Sequence, residues 1–316
     1  MNAPKYLLPL IFSVLGAFCG SQGLAAPILG SADPYAVLGA TLVSASGDSA
    51  NIIGSVGSPP ATGSVTGPMV ITDGALNNAG AAAALHDANA AASFLGHVAV
   101  TQNYTVTPEL GGRTLNAGVY EFDSAAGLNG LLTLDALNND NAVFIFDIGT
   151  ALTTGSNAKV SVINGGPNVG VYWLVGSQAT LGDSTVFQGN IIAGTAIVLD
   201  PSAQIQCGRA IANTEVTMAG KTAVNPTNLV SINGIPDGCA GGFGGGYELS
   251  SGGTIARVVS GGESGGFSLV SEGEGVFSPG GPVSGAAPAS VPEPATLALL
   301  GIAFAGLGFS RHRRVR

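Results

Sequence analysis

VYWLVGSQATLGDSTVFQGNIIAGTAIVL (Val171–Leu199) alternates short apolar runs with corners of small polar residues. Working outward from it, Val143–Gly166, Val171–Ala193, Gly194–Ala212 and Asn213–Val224 can be set under one another as a loose repeat. Each offers an extended apolar piece (VFIF, VYWLV, AIVL, EVTM) and a small-polar corner (TTGSNA, LGDST, DPSA, AGKTA). Phe187, Ile205 and Val224 fall eighteen and nineteen residues apart. That period is too short for a helix-turn-helix repeat and suits one coil of a β-solenoid. Each strand would pair with the coils above and below at about 4.8 Å, and inward side chains would stack into aliphatic ladders. Evenly spaced strands of a β-sandwich give the same alternation, so the pattern alone leaves both architectures open.

One segment differs. Asn77 to Gly96 is dense in alanine, which favours helix. Asn77 or Asn78 can cap its start and Gly96 can end it. Alanines on one side permit close approach to a sheet, with Leu85, Phe94 and Leu95 supplying bulk. A single long alanine helix in an otherwise extended chain favours the solenoid.

The two ends of the chain carry addresses. Lys5 precedes the apolar stretch Tyr6–Phe18, and Gly-Leu-Ala-Ala follows, as in a secretory signal peptide with Ala25 at the cleavage point. Phe18 is too large for a lipobox before Cys19. At the other end stands VPEPATLALLGIAFAGLGFSRHRRVR (Val291–Arg316): the triplet Pro292-Glu293-Pro294, an apolar run without charge from Ala295 to Phe309, then four arginines. The run is shorter than the ~20 residues of a comfortable membrane span. The order resembles the PEP-CTERM sorting signal of Gram-negative bacteria. That resemblance implies recognition and removal by an exosortase, a secreted or surface destination, and membrane contact only through the tail before processing.

Composition narrows the class. Processing would leave Arg113, Lys159, Arg209, Lys221 and Arg257 as the basic residues of an acidic chain whose full-length formal charge is −9. Such a surface argues against nucleic acid and anionic lipid. With 50 Gly and 9% charged residues, sheet with tight turns is expected. Cys207 and Cys239 survive processing and can form one disulfide in an oxidising compartment or stand as two buried thiols. From Pro236 to Ser290 the text becomes Gly- and Ser-rich and reads as a flexible spacer, although Thr254–Val259 and Phe267–Val270 could pair as a hairpin. The expected organisation is therefore signal peptide 1–25, folded domain 26–235, linker 236–290 and sorting tail 291–316.

Catalytic signatures are lacking. His86 and His97 are eleven apart and have no Cys neighbour, so they make no helical metal pair. No Gly-x-Ser-x-Gly elbow, HExxH or P-loop occurs. Asp123, Asp135, Asp140 and Asp147 are scattered, with only Arg113 or Lys159 nearby to serve as a base. The chain reads as a non-enzyme without metal or cofactor. In Tyr172-Trp173, alternation points one ring inward and one outward.

Several stretches carry a second resemblance. Tyr35–Gly57, the alanine helix, LNAGVYEF (Leu115–Phe122), LTLDA (Leu132–Ala136), NAVFIFDIGTALTT (Asn141–Thr154), Val171–Leu199 and GRAIA (Gly208–Ala212) resemble the bacterial and fungal ice-binding proteins of the DUF3494 family. The likeness runs from about Leu29 to Asn228. It implies a mainly β chain: a right-handed, discontinuous β-solenoid of triangular cross-section with one long α-helix, Ala79–Leu95, packed alongside. In that fold ice meets one flat face of short side chains, ideally Thr. The equivalent corners and following strands offer Thr153, Thr154 and Ser156; Asp183, Ser184 and Thr185; Ser202 and Ala203; Lys221 and Thr222. Asp183 and Lys221 would interrupt a flat plane, and Pro201 would disturb a strand. The expected partner is an ice crystal surface. The second expectation, drawn from the sorting tail, is a structural or adhesive protein in contact with extracellular polysaccharide.

Overall fold

Inward ladders organise the chain. In Leu152-Thr153-Thr154 the outer two side chains are buried and the middle one is exposed, and Ala179-Thr180-Leu181 and Ile197-Val198-Leu199 keep the same alternation. Strands of this period stack in parallel, one coil on the next, so identical faces align. The computed structural model describes residues 26–104, 109–166, 168–220, 231–233, 245, 247–249, 255–260 and 267–270. The chain divides into two units, Met1–Gly280 and Gly281–Arg316, and every described residue belongs to the first.

That unit is a three-faced β-solenoid. Sheet one runs, in spatial order, through Ser55–Gly57, Tyr35–Gly39, Ala210–Ala212, Asn190–Ala193, Gly170–Val175, Val143–Ile148, Gly118–Phe122 and Gln102–Tyr104. Sheet two runs through Ala126–Leu128, Leu152–Thr154, Ala179–Leu181, Ile197–Leu199, Glu215–Ala219, Leu42–Ser46 and Ser64–Thr66. Sheet three runs through Met69–Thr72, Ala50–Ile53, Ser231–Asn233, Gln204–Gln206, Val186–Gln188, Lys159–Gly165, Leu131–Asn139 and Thr114–Asn116. All neighbours in these sheets are parallel. The interior between them is apolar and includes an aromatic stack in which Phe146 lies 3.8 Å from Trp173 and Trp173 lies 4.8 Å from Phe187.

The winding is discontinuous. The first coil, Tyr35–Ile53, stacks directly on the last: Val37 pairs with Ala210, Val43 with Val216 and Ile52 with Ile232. Residues 55–72 then close that end of the solenoid. The chain crosses along the helix to the other end, where Gln102–Tyr104 starts the coils that wind back. Arg209 seals the junction. Its guanidinium is wholly buried, lies 2.7 Å from an Asp33 carboxylate oxygen, and donates to the Asp33 carbonyl and to Asn190 Oδ1. Removing Asp33 would leave the buried guanidinium without its carboxylate, a destabilising change of up to about 3–5 kcal/mol that the partial exposure of Asp33 reduces.

The repeat is present but its cuts move. Successive coils take 27 residues from Phe146 to Trp173, 18 from Trp173 to Ile191 and 19 from Ile191 to Ala210. The uneven first step sets the alignment adrift: VFIF and VYWLV belong to sheet one, whereas AIVL and EVTM belong to sheet two. Phe187 does stack on Ile205, but the next residue in that ladder is Ile232. Val224 lies outside the described residues.

The helix spans Ala81–Leu95 and buries Ala81, Ala84, Leu85, Ala88, Ala91 and Leu95, a stripe at i, i+3, i+4 spacing. Those small residues share one cluster with Val119, Ile145, Tyr172, Leu174, Ile192 and Ile211, the outward side chains of sheet one. Its N-cap is Gly80 rather than either asparagine. Asn77 Oδ1 instead accepts the N–H of Gly80, the N-cap residue, and Asn78 Oδ1 accepts the Ser58 N–H, tying the approach to the helix to the end of the strand Ser55–Gly57. Gly96 ends the helix as expected. Among the described residues no helix is long and apolar enough to cross a membrane.

The stretch 236–290, read from sequence as spacer, contains three strands. Tyr247–Leu249, Ile255–Ser260 and Phe267–Val270 form an antiparallel sheet with Ala26–Pro27. This clamp sits on the helix side of the solenoid. Tyr247 is buried and meets the Phe94 ring edge-on at 5.6 Å, and the Tyr172 hydroxyl donates to the Gly245 carbonyl.

Candidate functional site

Alternation in sheet two gives it one outward row. Through the strand registers, Gly127, Thr153, Thr180, Val198, Thr217, Ser44 and Thr66 stand side by side. Strand spacing places neighbours about 4.8 Å apart. Thr153 and Thr66 are exposed, while Thr180, Thr217 and Ser44 are half-buried by their neighbours. Beneath them Leu152, Ala179, Leu181, Ile197, Leu199 and Val216 are fully buried, which fixes the backbone that carries the row. Two positions earlier runs a second outward line, Ala151, Gln178, Ala196, Glu215, Leu42 and Ser64, with a single charge. The Gln178 amide donates to Thr180 Oγ1, tying the two lines together.

The sequence-derived candidates distribute differently. Thr153 belongs to the row. Thr154 and Thr185 do not: both side chains are buried, with their hydroxyls 2.8 Å apart. The Gly182 N–H donates to Thr154 Oγ1, and Thr185 Oγ1 donates to the Gly155 carbonyl. Ser202 is buried in a turn at φ +64°, and Ser184, at φ +59°, donates to the Asp183 carboxylate. Ser156 is exposed, but at the corner between sheets two and three. Thr222 and Lys221 lie outside the described residues. The corners turn the chain over, so hydroxyls read as a surface line serve the interior of the bend. Pro201 and Asp183 also sit in turns, and neither interrupts the strand row. The signal overlooked was the middle residue of each apolar triplet: Leu-Thr-Thr, Ala-Thr-Leu and Val-Thr-Met.

The other faces are less level. Sheet one is covered by the helix and clamp. Sheet three presents Lys159, Asp135 and the partly exposed Leu131 and Ile163, side chains of unequal length and charge. Hydrogen bonds from the Asn164 amide and the Leu137 N–H hold the Asp135 carboxyl below its ordinary range despite slight desolvation.

The remaining candidates have structural roles. Trp173 points into the core, and Tyr172 points outward but is fully covered, with its hydroxyl pushed well up by burial. His86 stands 3.5 Å from Asp87, and His97 Nδ1 lies 2.6 Å from the Ser93 carbonyl oxygen. Among the described residues no group of three His, Cys, Asp or Glu is placed to hold a metal ion. Cys207 is disulfide-bonded; its expected partner, Cys239, lies outside the described residues, as does the sorting triplet Pro292, Glu293 and Pro294.

Residues 290–314 match the PEP-CTERM protein-sorting motif. The chain is 38% identical over 218 residues to an ice-binding protein of Nostoc sp. (strain HG1), covering 68% of this chain and 80% of the relative. An ice-binding protein of Flavobacterium frigoris (strain PS1) is 28% identical, with 63% of this chain and 76% of the relative covered. Among solved structures, an ice-binding protein from the Antarctic ascomycete Antarctomyces psychrotrophicus superposes with a TM-score of 0.58 at 31% identity, covering 66% of this chain and 98% of that one. One from an Antarctic biological consortium gives 0.57 at 32%, covering 66% and 91%. A family model described as Ice-binding-like matches residues 37–224, nearly all of the solenoid wound above, and the chain belongs to that family.

Proposed function

We propose that this protein binds ice through the outer face of sheet two. The observation that carries the reading is the row Thr153, Thr180, Thr217, Ser44 and Thr66, set at strand spacing on a buried base. Each threonine offers a methyl that orders water and a hydroxyl that anchors it. A backbone held by full burial loses little conformational freedom when the face meets a crystal. Adsorbed molecules pin the growth front, which bulges between them, and so growth and recrystallisation slow. Export by the signal peptide 1–25 and processing by an exosortase at Pro292-Glu293-Pro294 would deliver it outside the cell or to its surface. Thr180→Tyr, which lifts one residue out of the plane, is expected to remove at least nine-tenths of the thermal hysteresis in a nanolitre osmometer while the melting temperature stays put. Hysteresis at the unsubstituted level would move the contact to another face.

A further inference from the structure

The threonine row changes along its length. From Thr153 through Thr180 to Val198 it is level, because valine has the outline of threonine, and the line beside it is Ala151, Gln178 and Ala196. Gln178 lies along the surface, its amide donating to Thr180 Oγ1 at 2.9 Å. The inward residues Leu152, Ala179, Leu181 and Ile197 are fully buried beneath this half. Beyond Val198 the regularity ends. Ser44 lacks the methyl of its neighbours, Glu215 and Leu42 are longer than Ala151 and Ala196, and Val65, inward beside Thr66, is only partly buried. Glu215 stands at the boundary. It precedes Thr217 by two residues, as Gln178 precedes Thr180. An amide donates to the threonine oxygen and leaves the hydroxyl proton outward, whereas an ionised carboxylate can only accept. Among the described residues no hydrogen bond or ion pair reaches the half-buried Glu215 carboxylate. Its charge is satisfied by water alone, in a shell ordered around the ion rather than around a lattice, and stripping that shell without a replacement partner is costly.

We infer that Glu215 bounds the contact with ice: the crystal is met by the level half, Thr153 to Val198, while Thr217, Ser44 and Thr66 stay hydrated beside it. This rests on the ice-binding reading above, and the experiment separates the two. Thermal hysteresis per folded molecule is measured on the purified chain, with substitutions that delete a hydroxyl without raising an obstacle. Thr153→Val and Thr180→Val should each remove at least half of the hysteresis, and Thr217→Val less than one tenth. Glu215→Gln gives Thr217 the neighbour that Thr180 has and should at least double the hysteresis; Thr217→Val in that background should cancel the gain. Glu215→Ala, which continues the line of Ala151 and Ala196, should raise it as well. Gln178→Glu should carry the boundary back to Thr180 and remove at least half. Hysteresis unchanged by both Glu215→Gln and Glu215→Ala would overturn the inference and leave the face in place. So would a loss from Thr217→Val alone as large as that from Thr180→Val. An unsubstituted chain without hysteresis, or full hysteresis in Thr180→Tyr, removes the ice-binding reading itself, and the boundary falls with it.

Discussion

Thr180 and Thr185 are five residues apart and serve opposite ends of the physics. Thr180 faces out from a strand, where its oxygen accepts from the Gln178 amide and its hydroxyl proton points to the solvent side of the sheet. Thr185 faces into a corner, where its hydroxyl is shared between Thr154 and the Gly155 carbonyl. Replacing Thr185 by Val leaves buried partners unsatisfied, so it should cost about 1–3 kcal/mol. The loss would be read as a lower denaturation midpoint, with hysteresis per folded molecule unchanged. Burial raises the Asp147 carboxyl, and so does Glu121 beside it, while His97 pulls the other way. A carboxyl raised on folding weakens the fold once ionised. Its penalty is absent below the ordinary carboxylate range and complete above the raised value. Asp147→Asn should therefore raise the melting temperature at pH 7 and leave it unchanged near about pH 3; a shift of equal size at both would assign the effect to packing. Which threonines face out was legible in principle from period-two alternation. It was obscured because Thr153 and Thr154 are adjacent and identical, and only the position of the bend tells them apart.

At the scale of elements, the helix and the clamp show what composition does and does not say. Alanine density located the helix to within a few residues, because helix propensity and close packing favour the same residue. Ala88 lies fully buried against sheet one. Ala88→Leu inserts three carbons where there is no space and should cost about 1–3 kcal/mol, measurable by denaturant titration. A surface-facing control such as Ala82→Leu should change little. The clamp was only half read: the pairing of Ile255–Ser260 with Phe267–Val270 matches the hairpin open to the sequence, whereas Tyr247–Leu249 and the docking on the helix were missed, for the converse reason. Its glycine-rich setting resembles that of a linker, and Tyr247 and Ile255 supply buried side chains against the solenoid, so docking contributes to its order beyond local preference. Ordinary sequence periodicity does not record what a short strand will lean on.

The whole molecule was legible as a stack of coils from its repeats, and as a discontinuous one only through the family resemblance. Nothing local in Tyr35–Gly39 states that its strand neighbour is Ala210–Ala212, some 173 residues later. That contact exists because the exposed face of the first coil and the last must cover each other. The clamp is part of the same closure. A chain ending at Ile235 would lack Tyr247 and uncover Phe94 and Tyr172, and it should melt several degrees below one ending at Ser290. Equal melting temperatures would show the clamp to be dispensable. The return crossing from Thr72 to Gln102 carries a further consequence. Open-ended repeat proteins lengthen by duplicating a unit, but here an added coil would push the two ends apart while the helix, about 22 Å long, stayed the same. The strut sets the gauge of the scaffold, so a broader adsorbing plane is reached by changing the residues along each rung rather than by adding rungs.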